Sequence, residues 1–313
     1  MVVGDTSLTT TGASPTFISN GDLTKSFDGK AGGYGTNETS QYTANANMAG
    51  VTSTNFNWNV PGGGTFDAKT FIVSQNLGYS GFTGSESYQL AASPTVGGAF
   101  TNIAGATGTA GTTDSVINVL SSSTATTVGK LKASMSSLVS TGGNSYALMQ
   151  EILAIPDQLT PITGNTAVAD STYNASYPAS HSVDGRAALE WAAADGTAGH
   201  TLTITLGTPG SSVGAILFEG EAGATRTCTF DVYFDSDVSP TITGVTLTDA
   251  ETAVLKLTTP RTASTMKLVF GAETGGITAI EEVMPFTVTP APEPASLSLL
   301  GLGALALLRR RRA

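Results

Sequence analysis

The stretch Thr54-Asn55-Phe56-Asn57-Trp58-Asn59-Val60 alternates polar and apolar side chains. Because successive side chains of a β-strand point to opposite faces, this period of two predicts a strand with one buried and one exposed face. A second stretch of the same kind is Thr201-Leu202-Thr203-Ile204-Thr205-Leu206. Glycine and asparagine turns separate these and other short apolar runs along the chain. The pattern predicts an all-β protein whose short strands form sandwiches or barrels.

The two halves of the chain resemble one another. Ser26-Phe27-Asp28-Gly29-Lys30-Ala31 corresponds to Ser182-Val183-Asp184-Gly185-Arg186-Ala187. Four further pairs of segments follow in the same order: 56–60 with 202–206, 68–73 with 213–218, 122–131 with 258–268, and 150–152 with 281–283. Five matched segments in one order indicate an internal repeat. We therefore predict two tandem β-sandwiches, at 19–156 and 160–288, after an N-terminal segment at 1–18, with a linker at 156–161 and a tail at 289–313.

The charge of the chain limits its partners. The chain has 14 basic and 24 acidic residues, a net charge of −10. The tail from Pro290 onward holds four Arg and one Glu, and without it 10 basic and 23 acidic residues leave a net charge of −13. Such a body repels phosphate backbones, so we expect no nucleic-acid partner. The single cysteine, Cys228, cannot form an internal disulfide, and we expect it to be a small buried side chain.

The second half resembles the discoidin family, also called the coagulation factor 5/8 type C domain, a galactose-binding-like jelly-roll sandwich. The resemblance is carried by Val183-Asp184-Gly185, Trp191, the strand that ends in Leu206-Gly207, Phe230-Asp231-Val232-Tyr233-Phe234 and Ile280-Glu281-Glu282-Val283. It covers about residues 166–286 and, more faintly, 20–155. The chain departs from the family pattern at Met266-Lys267-Leu268-Val269-Phe270 and at His200-Thr201-Leu202-Thr203.

The resemblance implies two sets of site residues. Carbohydrate-binding relatives hold a structural Ca²⁺ beside the Asp-Gly turn, which implies Asp184 with Glu281 or Glu282 as ligands, and Asp28 with Glu151 in the first half. The alternative is a turn aspartate with solvated glutamates. Trp191, Tyr177 and Tyr173 are candidate rings for stacking on a sugar. The alternative for Trp191 is a place in the core of the sandwich.

The sequence lacks the motifs of common catalytic and nucleotide sites. It contains no His-Glu-x-x-His, Cys-x-x-Cys, Gly-x-Ser-x-Gly, phosphate loop or dinucleotide fingerprint. Pro61-Gly62-Gly63-Gly64 lacks the Lys and Ser or Thr that a phosphate cradle needs. No motif places a nucleophile beside either of the two histidines, His181 and His200. We expect them to lie on loops or on the surface. We therefore expect a protein that is not an enzyme.

The tail is similar to the PEP-CTERM sorting signal of Gram-negative bacteria. Pro292-Glu293-Pro294 leads into an apolar run at 297–308 and then Arg309-Arg310-Arg311-Arg312. We expect the run to form a short hydrophobic helix that enters the inner membrane while the arginines stay in the cytoplasm. Because a full span needs about 20 residues, the run predicts a transient anchor. The resemblance implies processing by an exosortase, a membrane protease-transpeptidase. Residues Met1-Val2-Val3-Gly4-Asp5 have no signal-peptide pattern, so we expect a leader upstream of them.

These features predict an exported, non-catalytic protein of the cell surface or extracellular matrix. In the leading interpretation the discoidin-like sandwiches bind exopolysaccharide or other glycans of a biofilm matrix, with a structural Ca²⁺. In the alternative the protein is a purely structural surface or biofilm component that binds no sugar.

Overall fold

The computed structural model describes residues 42–45, 54–76, 83–111, 115–141, 144–186, 189–221, 227–248, 251–273 and 276–289. Ten strands belong to the first half: β1 Tyr42–Asn45, β2 Thr54–Asn59, β3 Phe66–Asn76, β4 Ser85–Ser93, β5 Thr101–Gly111, β6 Ser115–Val128, β7 Lys130–Ser137, β8 Val139–Thr141, β9 Asn144–Met149 and β10 Glu151–Ile155. Short 3₁₀ helices lie at Pro61–Gly63 and, in the second half, at Ala179–Val183.

Ten more strands form the second half: β11 Gln158–Pro161, β12 Thr166–Ala169, β13 Trp191–Ala192, β14 Thr201–Thr205, β15 Ser211–Gly220, β16 Thr227–Phe234, β17 Ile242–Thr248, β18 Thr252–Ala263, β19 Thr265–Phe270 and β20 Ala279–Thr289. The protein is therefore all-β, as the alternating pattern predicts. Among the described residues no helix is long and apolar enough to cross a membrane.

Each half is a sandwich of two main antiparallel sheets. In the first half the sheets have the strand orders β10-β3-β6 and β2-β7-β4-β5, and a small sheet β1-β9-β8 lies beside them. In the second half the orders are β11-β20-β15-β18, with β13 on β20, and β12-β14-β19-β16-β17. The order β10-β3-β6 corresponds to β20-β15-β18, and β2-β7-β4-β5 corresponds to β14-β19-β16-β17. The two halves therefore share a strand order, which agrees with the internal repeat in the sequence.

Alternation along the strands builds a separate core in each sandwich. Phe56 and Trp58 of β2 pack with Phe71 and Val73 of β3 in the first core. Leu202 and Ile204 of β14 pack with Ile216 and Phe218 of β15 in the second core, which also includes Cys228. The strand residues between them point away from these cores because the side-chain period of a strand is two.

The two sandwiches pack against each other through the outward faces of their inner sheets. Ile72, which lies between Phe71 and Val73, belongs to a third apolar cluster together with Leu217, which lies between Ile216 and Phe218. The same cluster includes Leu153, Leu159 and Phe286. The sheets β10-β3-β6 and β20-β15-β18 are thus covered on both faces. Polar residues are found at the ends of their strands.

The predicted linker is partly wrong. Gln158–Pro161 is strand β11, and it pairs with the end of β20, where Leu159 lies opposite Val288. The amide of Leu159 donates to Thr70 Oγ1 of the first sandwich (2.8 Å), and that hydroxyl donates to the carbonyl of Asp157 (2.9 Å). Proline is accepted here because β11 is an edge strand and Pro161 is its last residue. The segment between the sandwiches is therefore ordered by both of them.

The N-terminal segment, the hydrophobic helix predicted for the tail, and Asp28 lie outside the described residues. The domain boundaries at 19, 156, 160 and 288 stay predictions, although β11 begins before residue 160.

Candidate functional site

A pair of loops at one end of the second sandwich holds the predicted aromatic residues. The first loop follows β12 and the second follows β13. The amide of Tyr173 donates to the carbonyl of Ala192 (2.8 Å), and the amide of Ala194 donates to Ser171 Oγ (3.3 Å). These bonds fix the two loops side by side, and their residues at 171–177 and 192–197 form the loop site.

Trp191 lies beneath the loop site and not on it. Its side chain has no exposed surface, and its ring packs 5.3 Å from the ring of Phe270. The indole Nε1 donates to the carbonyl of Ser171 (3.1 Å), which anchors the first loop. The prediction that Trp191 contributes a ring for sugar stacking is therefore wrong, because a fully buried ring cannot contact a ligand.

Tyr173 and Tyr177 form an aromatic pair on the surface of the loop site. Tyr173 is 52% exposed, and its ring centroid lies 5.9 Å from that of Tyr177 with a T-shaped arrangement. Asn174 shapes the turn between them, since its Oδ1 accepts the amide of Ser176 (2.8 Å) and its carbonyl accepts the amide of Tyr177. Edge-to-face contact of this kind fixes the orientation of an exposed ring.

A network of four polar residues underlies the loop site and consists of Asp170, Ser171, Asp195 and His200. His200 Nδ1 lies 3.2 Å from Asp170 Oδ2 and 3.0 Å from Ser171 Oγ, and Nε2 lies 3.1 Å from Asp195 Oδ1. The imidazole is buried, whereas the two carboxylates reach solvent. Sequence reasoning placed His200 on a loop or the surface and missed this network, whose members are close only in space.

The network favours the charged form of His200. Burial of the imidazole opposes its charge, but hydrogen bonds and the charges of Asp195 and Asp170 outweigh burial and raise the pKa of His200. Hydrogen bonds from the hydroxyl and amide of Thr197, and then from His200, lower the pKa of Asp195 to about 2. The network joins residues of both loops to His200, the residue immediately before β14. Its role is to tie the two loops to β14.

The predicted calcium residues of the second sandwich lie at the domain interface, away from the loop site. Glu282 Oε2 accepts the amide of Gly185 (2.8 Å), and Asp184 Oδ1 accepts the amide of Arg186 (3.0 Å). Glu282 faces Glu219 directly across the β15–β20 ladder. Burial, and then the charges of Asp184 and Glu219, raise the pKa of Glu282, and burial also raises the pKa of Asp184.

Glu219 is a buried carboxyl that no sequence motif predicts. It has no exposed surface, and within the described residues neither of its oxygens has a hydrogen-bond partner. Burial raises its pKa to about 8. Glu219 lies two residues after Leu217 and therefore on the outward face of β15, the face on which Leu217 contacts the first sandwich.

The resemblance implies one set of calcium ligands in each sandwich; Asp28 of the first set lies outside the described residues, and Glu281 of the second is buried on β20. Glu151 lies on β10 of the first sandwich, opposite Ser74, whereas Asp184 and Glu282 belong to the second sandwich. In the part of the chain that the structure describes, no group of three or more His, Cys, Asp or Glu side chains is placed to hold a metal ion. Ca²⁺ takes about six to eight oxygen ligands, so neighbouring backbone carbonyls would have to supply the rest. A structural Ca²⁺ at Asp184 and Glu281 or Glu282 stays a prediction.

Comparison with known proteins identifies the tail. Residues 290–312 match the family model of the PEP-CTERM protein-sorting motif. The chain carries a PEP-CTERM sorting motif. This motif marks the protein for export and sorting to the cell surface, as its three-part sequence predicts.

Solved structures similar to this chain include single carbohydrate-binding domains. The family 32 CBM from C. perfringens NanJ in complex with galactose has 18% identity and a TM-score of 0.37, with 42% of this chain and 99% of that chain covered. The chitosan-binding module 1 from the chitosanase/glucanase of Paenibacillus sp. IK-5 has 24% identity and a TM-score of 0.33, with 40% and 97% covered. No relative was found among curated proteins.

Proposed function

We propose that this PEP-CTERM protein is a non-catalytic component of the cell surface or extracellular matrix that binds a glycan at the loop site of its second sandwich. The sorting motif directs the protein to the cell surface, and exposed Tyr173 with its partner Tyr177 contacts the glycan. The single observation that carries the proposal is that Tyr173 is 52% exposed while backbone bonds fix the loop on which it lies.

An exposed, oriented ring suits a sugar because the axial C–H groups of a pyranose form an apolar face that packs on an aromatic ring. The neighbouring loop adds Asp195, whose side chain is 57% exposed and whose low pKa keeps it an acceptor for sugar hydroxyls. A ring beside polar acceptors on a rigid loop pair is the kind of arrangement that sugar recognition needs. The NanJ module and the chitosan-binding module are described as binding sugars, and they suggest the ligands to test first.

Binding of the full chain to a glycan array tests this proposal. We expect Tyr173→Ala to lower affinity for the bound glycans at least tenfold and Tyr173→Phe to retain most of it, because phenylalanine keeps the ring. Tyr233→Ala, on the sheet of the same sandwich, is the matched control and should bind normally. A chain that binds no glycan, with or without Ca²⁺, would instead be a purely structural surface component.

We also propose that an exosortase recognises Pro292, Glu293 and Pro294 and separates the body from its tail after transient insertion in the inner membrane. Arg309, Arg310, Arg311 and Arg312 retain the end of the tail in the cytoplasm. Glu293→Ala should leave the tail attached in the producing cell, which the mass of the membrane-bound protein would show. Ser296→Ala, just beyond the Pro-Glu-Pro tripeptide, is the control, and unchanged processing of Glu293→Ala would contradict the proposal.

A further inference from the structure

The outer sheet of the first sandwich carries two lysines over an aromatic ring on the side away from its core. Phe56, Trp58 and Leu131 point into the core, so the alternate residues of β2 and β7 point outward. These outward residues are Asn57 and Asn59 on β2 and Lys130 and Lys132 on β7. With Phe100 and Asn102 they form what we call the lysine face.

The strand register arranges the lysine face in two rows. Asn57 lies opposite Lys132, Lys132 lies opposite Ala91, and Ala91 lies opposite Asn102. In the second row Asn59 lies opposite Lys130, which lies opposite Ser93. Because neighbouring strands are about 4.8 Å apart, the first row extends over roughly 14 Å. Along the first row Asn57 and Ala91 are buried, Lys132 is half-buried and Asn102 is exposed, so a ligand can reach Lys132 and Asn102.

Both lysines are held over one aromatic ring. Lys130 Nζ lies 4.2 Å and Lys132 Nζ lies 5.0 Å from the centroid of Phe100. Among the residues that the structure describes, no carboxylate forms an ion pair with either lysine. The ring thus restrains two ammonium groups, and no carboxylate of the described residues forms an ion pair with them.

The lysine face has no negative charge of its own. The only acidic residue in β2, β4, β5 and β7 is Glu86, which lies on the core side of β4 and is fully buried. The rest of the protein is strongly acidic, with a net charge of −13 once the tail is left out. A polyanion is therefore repelled by most of the body and attracted to this one face.

We propose that the lysine face binds a carboxylated polysaccharide. The two ammonium groups attract carboxylates on separate sugar residues, and the side-chain amides of Asn59 and Asn102 bond the hydroxyls beside them. A polyuronate, with one charge per sugar, matches two isolated lysines between amides. Duplex DNA carries one charge per roughly 1.7 Å and would press many phosphates against the acidic body. This site is separate from the loop site, so each can fail without the other.

Titration calorimetry of the full chain with alginate, a polyuronate, tests the proposal. The double variant Lys130→Gln, Lys132→Gln should lower affinity at least tenfold, and raising salt should weaken the wild type toward the variant because screening reduces the attraction. Lys267→Gln is the matched control. It removes the same charge from a lysine that also lies over a ring, Tyr233 at 4.9 Å, but in the second sandwich, and it should bind within twofold of the wild type.

Two further measurements make the result decisive. Lys130→Arg with Lys132→Arg keeps both charges and should restore most of the affinity, which distinguishes a lost contact from a lost fold. Tyr173→Ala should leave alginate binding unchanged. The proposal is overturned if the double glutamine variant binds alginate like the wild type, if Lys267→Gln weakens binding as strongly, or if single-stranded DNA binds as tightly as alginate at the same salt.

Discussion

The outer sheets of the two sandwiches have the same order of strands but different surface chemistry. On β7, Lys132 faces Asn57 and no acidic side chain lies on the sheet face around it. On the corresponding β19, Lys267 faces Thr203 and Tyr233, and Asp231 lies two residues from that tyrosine. One face carries net positive charge and the other is balanced.

This difference arises because the two faces of a strand are independent. Inward residues such as Trp58 and Ile204 determine the packing of each sandwich, and their apolar character is similar in the two halves. Outward residues do not enter the core, so they can change without altering the strand order. The two halves therefore share the apolar character of their cores and differ in the charge of their outward faces.

The largest expected effect tests whether the cores are equivalent. Trp191→Ala should lower the free energy of unfolding by about 3–5 kcal/mol, because it removes a fully buried ring and the bond to Ser171. Trp58→Ala should cost a similar amount in the first sandwich. Urea unfolding followed by circular dichroism measures both. A cost under about 1 kcal/mol for either tryptophan would show that the two cores are not equivalent.

The next effect tests the contact between the sandwiches. Leu217→Ala should cost about 2–4 kcal/mol, because Leu217 has no exposed surface when the sandwiches are docked. In an undocked sandwich the same residue would lie on a solvated face and the substitution would cost under about 0.5 kcal/mol. Val168→Ala, at an exposed position of β12, is the control. Urea unfolding of the three proteins distinguishes the two arrangements.

Glu219 makes the interface sensitive to alkaline pH. Since the pKa of Glu219 is raised to about 8 in the folded protein, the protonated form is favoured there and the associated stability is complete below the unfolded pKa of about 4.3. That stability is lost as the pH rises through the folded pKa. Thermal melts from pH 5 to 9 should show this loss in the wild type and a smaller loss in Glu219→Gln. Equal slopes in the two proteins would contradict the assignment. Glu221→Gln is the control.

His200 should add a smaller pH dependence in the same direction but from a different cause, the carboxylates that favour its charged form. Its pKa is raised, so the folded state favours the imidazolium, and the stability it adds is present below about pH 6.5 and is lost as the pH rises through the folded pKa. Because the partner carboxylates are 40% and 57% exposed, solvent limits the effect to about 1 kcal/mol or less. His200→Gln should flatten stability between pH 6 and 8, and His181→Gln should not. NMR titration of the imidazole measures the pKa directly.

The smallest expected effect concerns calcium. If Ca²⁺ binds at Asp184, adding it should raise the melting temperature of the wild type by a few degrees, and Asp184→Asn should remove the increase. Asp67→Asn, in the first sandwich, should keep it. An unchanged melting temperature of the wild type in Ca²⁺ would eliminate the metal prediction, in agreement with the absence of a suitable side-chain cluster among the described residues.

The sequence by itself determined the strands, the cores and the sorting of the protein to the cell surface. Alternation at Phe56 and Trp58 predicts which face is buried, the matched segments predict two similar halves, and Pro292-Glu293-Pro294 with its arginines predicts sorting. These signals are local: each depends on residues that are close along the chain, so a single sequence is enough to read them. The loop tyrosines were predicted from the same local pattern, by their place outside the strands.

Only the tertiary structure decided what covers the second face of each sheet. Leu217 and Glu219 alternate like surface residues of β15, and they are buried because the first sandwich docks there. His200 is buried where two loops bring Asp170 and Asp195 to it, and Lys130 and Lys132 are half-buried over the ring of Phe100. A period of two shows that a strand has two faces. Contacts between residues far apart in the chain determine whether the second face meets water, a neighbouring domain or a ligand.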